Sequence, residues 1–441
     1  MNPSRPSRRR FIRSITGLSL LGLVQHPFTI GVPAADASLP FATDNETIQK
    51  ARDVALGILK PSRKDLEHGL KLHAASLVID SYGFAPRCAI DGDAFRRRAE
   101  AGASAADLTD LREEMMMTRN VASETERKEF LDAWRAGGVS CIVQNAGEEG
   151  NDPIRLLKRL ARYTHVTDRV REVAKAATPD DIAAAHRAGR LSFYLTGNGV
   201  PLRQLWNSVD EETSLIRVFY QLGIRMMHLT YNRRNPIGDG CAEPANGGLS
   251  EFGKAVVAEM NRVGVIADVA HSGWQTSLDA AKASKRPMVA SHTACAALHR
   301  HIRGKPDEVI RAICDTGGLV GICCIPSFLG GAGDISVFLD HIDYVAKKFG
   351  VDHVAIGTDV AYVSRNSAAE NKKAPGFPGT ARWEALWPPD AFVNRPVGAA
   401  SLSWTNWPLF TVGLVQRGYR DTDIQKILGG NFLRVARGVL A

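Results

Sequence analysis

The chain has 441 residues, of which 44% are hydrophobic, and its formal net charge is +8. Residues 1–37 contain five arginines and one aspartate and so carry +4 of that charge, and the remaining +4 is spread without a long basic run. This distribution excludes nucleic acid as the expected partner. A (β/α)8 barrel takes ~250 residues or more, so the length fits either one elaborated barrel or two domains.

The N-terminus carries an arginine-rich motif followed by an apolar segment. Residues 7–13 (SRRRFIR) resemble the twin-arginine export signal, residues 15–24 are apolar, and residues 35–37 (ADA) offer a small-x-small cleavage site. The apolar segment is too short to span a bilayer securely. We predict an export signal over residues 1–37 and a periplasmic or secreted mature protein without an integral membrane span. A basic terminus without a targeting role is the alternative.

Two helices are predicted ahead of the first strand. Residues 45–59 and 63–75 have the character of surface helices separated by Pro61, and they define an N-terminal helical extension over residues 38–75. Residues 89–120 are charged and include three consecutive methionines, residues 115–117. Methionine packs readily into irregular gaps, so helix packing is favoured over metal binding for this triplet.

From residue 76 onward, short apolar runs alternate with amphipathic segments. Eight strands are predicted, at residues 76–81, 139–144, 191–196, 225–231, 265–270, 288–290, 319–325 and 353–357. Strands separated by helices indicate a parallel sheet, and eight of them favour closure into an α/β (β/α)8 TIM barrel over residues 76–441. Residues 364–397, rich in Pro and Gly, are predicted to form a lid loop over the carboxyl ends of the strands. Closing helices are expected at 401–416 and 421–440.

Two successive predicted strands end on a histidine, His271 and His292. A helical crossover between parallel strands brings both carboxyl ends to one edge of the sheet, where α/β barrels keep their functional groups. Neutral imidazole is a common ligand of Zn²⁺. We predict that this pair contacts a metal or a substrate. The alternative is that each histidine caps its own strand by hydrogen bonding.

Other polar residues follow the remaining strands. Tyr231, Asn232 and Arg233 follow the fourth strand, Arg303 lies beyond the sixth, and Asp359 follows the eighth. Their convergence at one edge predicts a polar pocket. Structural alternatives are that Asp359 caps a turn, that Arg233 is a surface charge and that Arg303 holds a loop.

The seven cysteines include no CxxC pair, so a zinc ribbon has no support. Several of them lie within apolar runs, which is typical of thiols that pack as small hydrophobic side chains.

Between about residues 76 and 440, several sequence words recur in one known family. They are YQLGIRMMHLTYN, GLSEFGKAVVAEMNRVGVIADVAHSGWQT, VASHTA, IRGKPDE, VAIGTDV and ILGGNFLRV. Together they resemble the membrane (renal) dipeptidase family of zinc metallopeptidases. The resemblance implies an amidohydrolase-like barrel, which agrees with the strand count. It also implies that His271 and His292 bind the second zinc of the family, that Arg303 binds substrate, and that Asp359 is the acid of the eighth strand.

Four positions depart from the family pattern. Tyr82 and Phe84 stand where the family has a metal-binding His-x-Asp pair, and Thr196 replaces a glutamate that bridges two zinc ions. Tyr231 replaces a histidine that contacts substrate. Because a dinuclear centre needs a carboxylate between its ions, we predict a mononuclear site with Asp359 as a candidate third ligand.

These observations predict an exported metal-dependent hydrolase of a dipeptide or small amide, with one divalent metal, zinc being the first choice. Water activated by the metal would attack the amide carbonyl, Asp359 would shuttle the proton, and Arg303 would hold a carboxylate or the developing oxyanion. Tyr231, Asn232 and Arg233 complete the expected substrate-binding set. The alternative is a metal-free, non-hydrolytic homologue that binds or helps mature a peptide-like metabolite. The resemblance leaves a homodimer open.

Overall fold

Eight parallel strands form a nearly closed ring at the centre of the protein. The structure is a computed structural model that describes residues 41–147, 150–374, 387–388 and 396–440. The strands are β1 (Ile79–Gly83), β2 (Cys141–Asn145), β3 (Val173–Ala176), β4 (Leu191–Gly197), β5 (Ile224–His228), β6 (Ile266–Asp268), β7 (Val289–Cys295), β8 (Gly304–Lys305), β9 (Leu319–Ile322) and β10 (Val354–Ile356). The ring runs β1-β2-β4-β5-β6-β7-β9-β10, with β3 attached to β4 and β8 to β7.

Helices connect the strands and cover the outside of the ring. They are α1 (Glu46–Leu59), α2 (Arg63–Ala74), α3 (Gly92–Glu100), α4 (Ala105–Ala122), α5 (Glu124–Gly137), α6 (Pro153–Arg169), α7 (Pro179–Arg187), α8 (Val209–Gln221), α9 (Glu251–Val263), α10 (Trp274–Ala283), α11 (Asp307–Asp315), α12 (Pro326–Leu329), α13 (Ile335–Phe349), α14 (Ser367–Lys373), α15 (Trp407–Gln416), α16 (Asp421–Gln425) and α17 (Asn431–Leu440). Short 3₁₀ turns lie at Val351–His353, Val397–Leu402 and Trp404–Asn406, and a π turn lies at Lys426–Gly430. None of these described helices combines the length and apolar character that a bilayer span requires.

The helix that leads into the first histidine-bearing strand has clear start and stop signals. The Ser250 hydroxyl accepts a hydrogen bond from the backbone N–H of Gly253, which caps the first turn of α9. At the other end Gly264 adopts a φ of 92°, a left-handed conformation that glycine takes without steric cost. The chain therefore turns sharply into β6, and β6 and β7 follow one another around α10 as the sequence pattern predicted.

A buried carboxylate joins the first and last strands of the ring. Asp80 on β1 accepts hydrogen bonds from the backbone N–H of Thr358 at 2.9 Å, from its hydroxyl at 2.6 Å and from the Trp404 indole at 3.0 Å. Nearby, the backbone N–H of Asp359 donates to the carbonyl of Tyr82 at 3.1 Å. Because a buried carboxylate is stable only when its oxygens are paired, this contact fixes the relative positions of β1 and the loop after β10.

The Asp80 carboxylate occupies space that is free because Gly83 has no side chain. Adding a methyl group at Gly83 therefore tests whether Asp80 holds the first and last strands of the ring together. A Cβ at Gly83 would lie 2.1 Å from the Asp80 Oδ2 atom. We expect Gly83→Ala to lower the free energy of unfolding by about 2–4 kcal/mol, because the carboxylate must move away from its donors. Chemical denaturation measures the change.

A matched control for that variant is Gly57→Ala in α1. A Cβ at Gly57 would meet no atom within 4 Å. Alanine has the higher helix propensity, so this variant should gain about 0.5–1 kcal/mol. Equal stability of the Gly83→Ala protein and the wild type would contradict the closing role of Asp80.

The N-terminal helical extension packs against the C-terminal part of the chain. The imidazole of His73 on α2 lies 2.7 Å from the hydroxyl of Thr411 on α15, and the Asn406 side chain donates to the carbonyl of Ala51 on α1 at 3.0 Å. Both α1 and α2 lie within one residue of their predicted bounds.

The predicted (β/α)8 barrel is confirmed, and each of the eight predicted strands overlaps a strand of the ring. Sequence reasoning missed β3 and β8, which have four and two residues and lie outside the ring. The predicted lid, residues 364–397, falls largely outside the described residues. Its described start contains α14. The closing helix predicted at 401–416 is two 3₁₀ turns followed by α15, and the one predicted at 421–440 is divided into α16, a π turn and α17.

Candidate metal centre

The imidazoles of His271 and His292 face each other at the carboxyl edge of the barrel. His271 lies just beyond β6 and His292 lies within β7, and their Nε2 atoms are 3.0 Å apart. Both residues are buried, with 3% and 0% of their surface exposed. The structure therefore brings together the two histidines that the sequence predicted to share a site.

The other ring nitrogen of His271 is committed to an amide. His271 Nδ1 lies 2.7 Å from the Asn232 Oδ1 atom. A carbonyl oxygen can only accept, so Nδ1 carries the proton and donates it. The thiol of Cys241 donates to the same oxygen at 3.2 Å. Because a neutral imidazole has one N–H, the Nε2 atom of His271 is left with a lone pair.

A serine and a carboxylate fix the tautomer of His292 in the same way. His292 Nδ1 lies 2.8 Å from the Ser291 hydroxyl, and that hydroxyl donates to Asp268. Burial alone would raise the pKa of Asp268, but His228 and the hydrogen bonds from His228 and Ser291 outweigh it and lower the pKa. Since the single proton of Ser291 goes to the carboxylate, its oxygen accepts from His292 Nδ1. The Nε2 atom of His292 is therefore also a lone pair.

Two lone pairs that face each other across 3.0 Å repel unless a cation lies between them. Burial, together with the charge of Arg303, lowers the pKa values of His271 and His292 well below the usual 6.5, so neither ring is protonated at neutral pH. Two nitrogens held about 2.1 Å from one ion lie roughly 3.0–3.4 Å apart. The separation, the tautomers and the neutral state of this pair all fit a divalent metal, and each ring has an acceptor on its other nitrogen, as metal-bound histidines do.

Tyr82 fills the space beside this pair. Its ring stacks on His292 with centroids 3.8 Å apart and planes 16° apart, and its hydroxyl donates to Asn198 Oδ1 at 2.5 Å. The ring of Phe84 lies edge-on to Tyr82 at 5.8 Å. Thr196 is fully buried and donates its hydroxyl to the carbonyl of Met226 at 3.0 Å. Aromatic rings and a committed hydroxyl thus stand at the positions where the resemblance places further metal ligands.

Asp359 lies in the wall of the same cavity as His271. Its φ is 57°, a conformation that aspartate tolerates better than most residues. Burial raises the pKa of Asp359 to about 7, although the charges of Arg303 and Arg87 oppose that rise. A carboxylate that titrates near neutral pH is suited to accept and release a proton.

Arg303 supports the strand ends that carry the histidines. The side chain is fully buried, and its guanidinium donates to the carbonyl of Ala270 and, at 3.0 Å, to the carbonyl of His292. It also lies 5.4 Å from the centre of the Phe328 ring. Arg303 is not part of the described lining of the cavity. These contacts match the alternative in which Arg303 holds a loop in place. Contact between Arg303 and substrate stays a prediction.

The three predicted residues after β5 separate into different environments. Tyr231 lines the cavity and stacks on His271 with centroids 4.1 Å apart. Asn232 is fully buried behind His271 and orients it, as described above. Arg233 is half-buried and donates to the carbonyl of Ala242 at 3.1 Å. The structure therefore brings Tyr231 to the cavity and leaves the other two outside its described lining.

A buried histidine–aspartate pair beside His292 was not predicted from the sequence. His228 on β5 lies with its Nε2 atom 2.7 Å from Asp268 Oδ2, and both side chains are fully buried. Potential ligand atoms of His228, Asp268 and His292 all lie within 4.8 Å of one another, so these three form a second donor set among the described residues. The signal in the sequence was a histidine and an aspartate inside otherwise apolar strand runs, because such residues need partners in the interior.

A cavity of about 1690 Å³ opens beside His271. His271, Tyr231 and Asp359 line one part of it, and Met116 and Met117 of α4 line another. The methionine triplet thus contributes to the cavity wall, which extends the predicted packing role. All seven cysteines are free thiols, and Cys141, Cys323 and Cys324 are buried as the apolar runs around them suggest.

The fold and the paired imidazoles define an α/β barrel of the amidohydrolase-like class. The sequence model of the membrane dipeptidases, peptidase family M19, matches residues 99–370. The chain therefore belongs to the membrane dipeptidase family, as the sequence words predicted.

Individual relatives agree with this assignment. A dipeptidase of Aspergillus oryzae (aclJ) is 30% identical over 57% of this chain and 52% of its own length. The chain spans between about half and three fifths of the length of the curated relatives it matches. An amidohydrolase of Pseudomonas aeruginosa is 25% identical, with a TM-score of 0.62 over 84% of this chain and 99% of its own. A metallopeptidase of Rhodobacter sphaeroides, solved with a phosphinate mimic of L-Ala-D-Ala, is 17% identical with a TM-score of 0.58 over 82% of this chain and 99% of its own, and it supports the fold.

Proposed function

We propose that the protein is an exported hydrolase of dipeptides or small amides that uses one divalent metal held by His271 and His292. The observation that carries this proposal is the pair of Nε2 lone pairs 3.0 Å apart, each with its Nδ1 proton donated to a buried acceptor. A divalent ion, with zinc the first choice, would supply Lewis-acid polarisation of a carbonyl and a nucleophilic water at neutral pH.

We propose a single metal because residues on or next to β1 and β4 differ from the metal ligands of the family. These residues are Tyr82, Phe84 and Thr196. The Tyr82 ring is packed on His292, and the Tyr82 hydroxyl is already donated to Asn198. Phe84 has no metal-binding atom, and the Thr196 hydroxyl is donated to a backbone carbonyl. These side chains offer no carboxylate that could bridge two ions.

The remaining roles follow from the positions of the side chains around the cavity. Asp359, with its pKa near 7, would accept a proton as the amide is attacked and return it to the leaving amine. Tyr231 would pack against the substrate while holding the ring of His271. Arg303 contributes positive charge beside the histidines, and its proposed contact with substrate would require a donor beyond those given to Ala270 and His292.

The substrate class comes from the relatives. The curated relatives are dipeptidases, and the Rhodobacter sphaeroides structure holds a mimic of a dipeptide. Hydrolysis of unprotected Ala-containing dipeptides, before and after metal removal and zinc return, is the direct test. Cleavage that is lost with the metal and restored by zinc supports the proposal.

A second candidate, a non-hydrolytic protein that binds or helps mature a peptide-like metabolite, is favoured by the same substitutions at Tyr82 and Thr196. Metal analysis of protein exported with its own signal separates the two candidates. About one equivalent of zinc supports the hydrolase, and protein without metal that still binds peptides supports the alternative.

Export itself is part of the proposal and rests on the arginine pair of the N-terminal motif. We expect Arg8→Lys together with Arg9→Lys to leave the precursor in the cytoplasm, because the twin-arginine route depends on both guanidinium groups. Cell fractionation and immunoblotting measure the distribution. Arg5→Lys, outside the pair, is the matched control. Unchanged export of the double variant would overturn the twin-arginine assignment.

A further inference from the structure

Arg87 stands in the cavity wall near the metal centre. Its guanidinium lies 5.1 Å from the centre of the Phe84 ring, and both residues line the cavity. The backbone of Arg87 is fixed by a 2.8 Å hydrogen bond to the carbonyl of Tyr362 and by a 2.9 Å bond from Ser364. Arg87 is an exposed residue, and it belongs to the lining of the cavity. The backbone that carries this cation is therefore fixed at the edge of the space a substrate would fill.

The positive charge of Arg87 is not neutralised by an ion pair within the described part of the chain. Glu113, the acid that shares this wall, lies within 4 Å of three other arginines, Arg155, Arg159 and Arg162. Desolvation lowers the pKa of Arg87, and the charges of Tyr163, Glu113 and Asp359 oppose that shift. A guanidinium stays charged in proteins, so a partly desolvated one without a partner favours an anionic ligand.

Arg87 lies next to one of the positions at which this chain differs from the family pattern. Phe84 stands where the resemblance places a metal-binding aspartate, and the aromatic face it offers supports a guanidinium instead. Arg303, the arginine that the resemblance assigns to substrate, is fully buried with donors on two backbone carbonyls. Arg87 is consequently the better placed of the two arginines to meet an anion in the cavity.

We propose that Arg87 is a specificity-determining residue that binds a carboxylate on the side chain of a peptide-like substrate, so that the protein prefers acidic peptides. This inference rests on the proposed function, since it assigns a substrate class to the same cavity. The cavity volume of about 1690 Å³ leaves room for a longer acidic side chain or a further residue beside the scissile amide. An Arg–carboxylate pair can be bidentate, which gives it geometric as well as electrostatic selectivity.

The test compares two peptides that differ in one charge, L-Ala-L-Glu and L-Ala-L-Gln. For the wild-type protein we expect kcat/KM to be about 10- to 100-fold higher for L-Ala-L-Glu, because hydrogen bonds to charged groups contribute about 1.5–3 kcal/mol. Arg87→Met should reduce that ratio to about 1 by slowing only the acidic peptide, and Arg87→Lys should retain part of the preference. Arg96→Met, which removes an exposed arginine of α3, controls for loss of net charge and should keep the wild-type ratio.

Calorimetric Kd values for the same two peptides separate this inference from the proposed function. If neither peptide is cleaved, the hydrolase proposal fails, while a Kd that favours L-Ala-L-Glu in wild type and not in Arg87→Met still supports Arg87. Equal Kd values for the two peptides, no binding of either, or a preference that survives Arg87→Met would overturn it. Thermal melting of each variant verifies that it is folded.

Discussion

Replacing His292 by alanine should abolish stoichiometric metal binding and reduce hydrolysis by at least about 10³-fold, because one imidazole alone leaves too few protein ligands for a stable site. His271→Ala should give the same result, since each Nε2 atom provides one of the two facing lone pairs. Metal content is measured by elemental analysis after dialysis, and it is expected to fall from about one equivalent to less than about 0.1.

The control for this prediction is a histidine elsewhere on the molecule. His68 is an exposed residue of α2 that pairs with Asp421 at 2.9 Å, far in sequence from the site. His68→Ala should retain the full metal content. Full occupancy in His271→Ala, with the ion still lost in His292→Ala, would instead point to the donor set of His228, Asp268 and His292. His228→Ala should then also lose the ion.

Replacing Asp359 by asparagine should lower kcat by about 10²–10⁴-fold at equal zinc loading, because the variant removes the group that moves the proton. Asparagine tolerates the left-handed backbone at this position, where φ is 57°, so the fold should be preserved. Steady-state kinetics of the zinc-loaded protein measure the effect. A kcat within twofold of wild type would contradict the role of Asp359.

The pH dependence gives a second readout of the same group. Burial raises the pKa of Asp359 to about 7, so as a base it is active only above that pH, and kcat should fall tenfold per pH unit below it. A nearby cation lowers this pKa, so in the zinc-loaded enzyme the acidic fall in kcat should have its midpoint at or below pH 7. The Asp359→Asn variant should not show this fall in kcat.

The metal-free protein should show the linked effect on stability. The folded-state pKa lies above the unfolded value of 3.8, so folded Asp359 retains a proton that the unfolded chain releases between about pH 4 and 7. This contribution to the free energy of unfolding is therefore fully present below about pH 4 and is lost as pH rises through 7. The stability of Asp359→Asn relative to wild type should rise over that window and level off above it.

The barrel could be predicted from the sequence because its strands are short, apolar and separated by capped helices. Gly264, for example, marks the end of α9 in the sequence and has a φ of 92° in the structure. The strands β3 (VAKA) and β8 (GK) could not be predicted because neither is an apolar run and each pairs with only one neighbour. Their existence depends on the tertiary contacts of β4 and β7 more than on their own residues.

The sequence predicted the site residues that lie at the ends of strands. It did not predict the hydrogen bonds between residues distant in sequence that orient them. His271, His292, Tyr231 and Asp359 follow from their places after strands. The positions of the imidazole protons depend on a side chain from another strand end, Asn232, and on the link from Ser291 to a carboxylate. No spacing in the sequence encodes those contacts.

Anomalous diffraction at the zinc absorption edge, from crystals of the exported protein, shows whether the two histidines share one ion. We expect one ion about 2.1 Å from Nε2 of both His271 and His292, with no second ion beside Tyr82 and Phe84. Imidazoles bridged to each other without an ion in protein that was never exposed to chelator, or a pair of ions bridged across the site, would contradict this expectation.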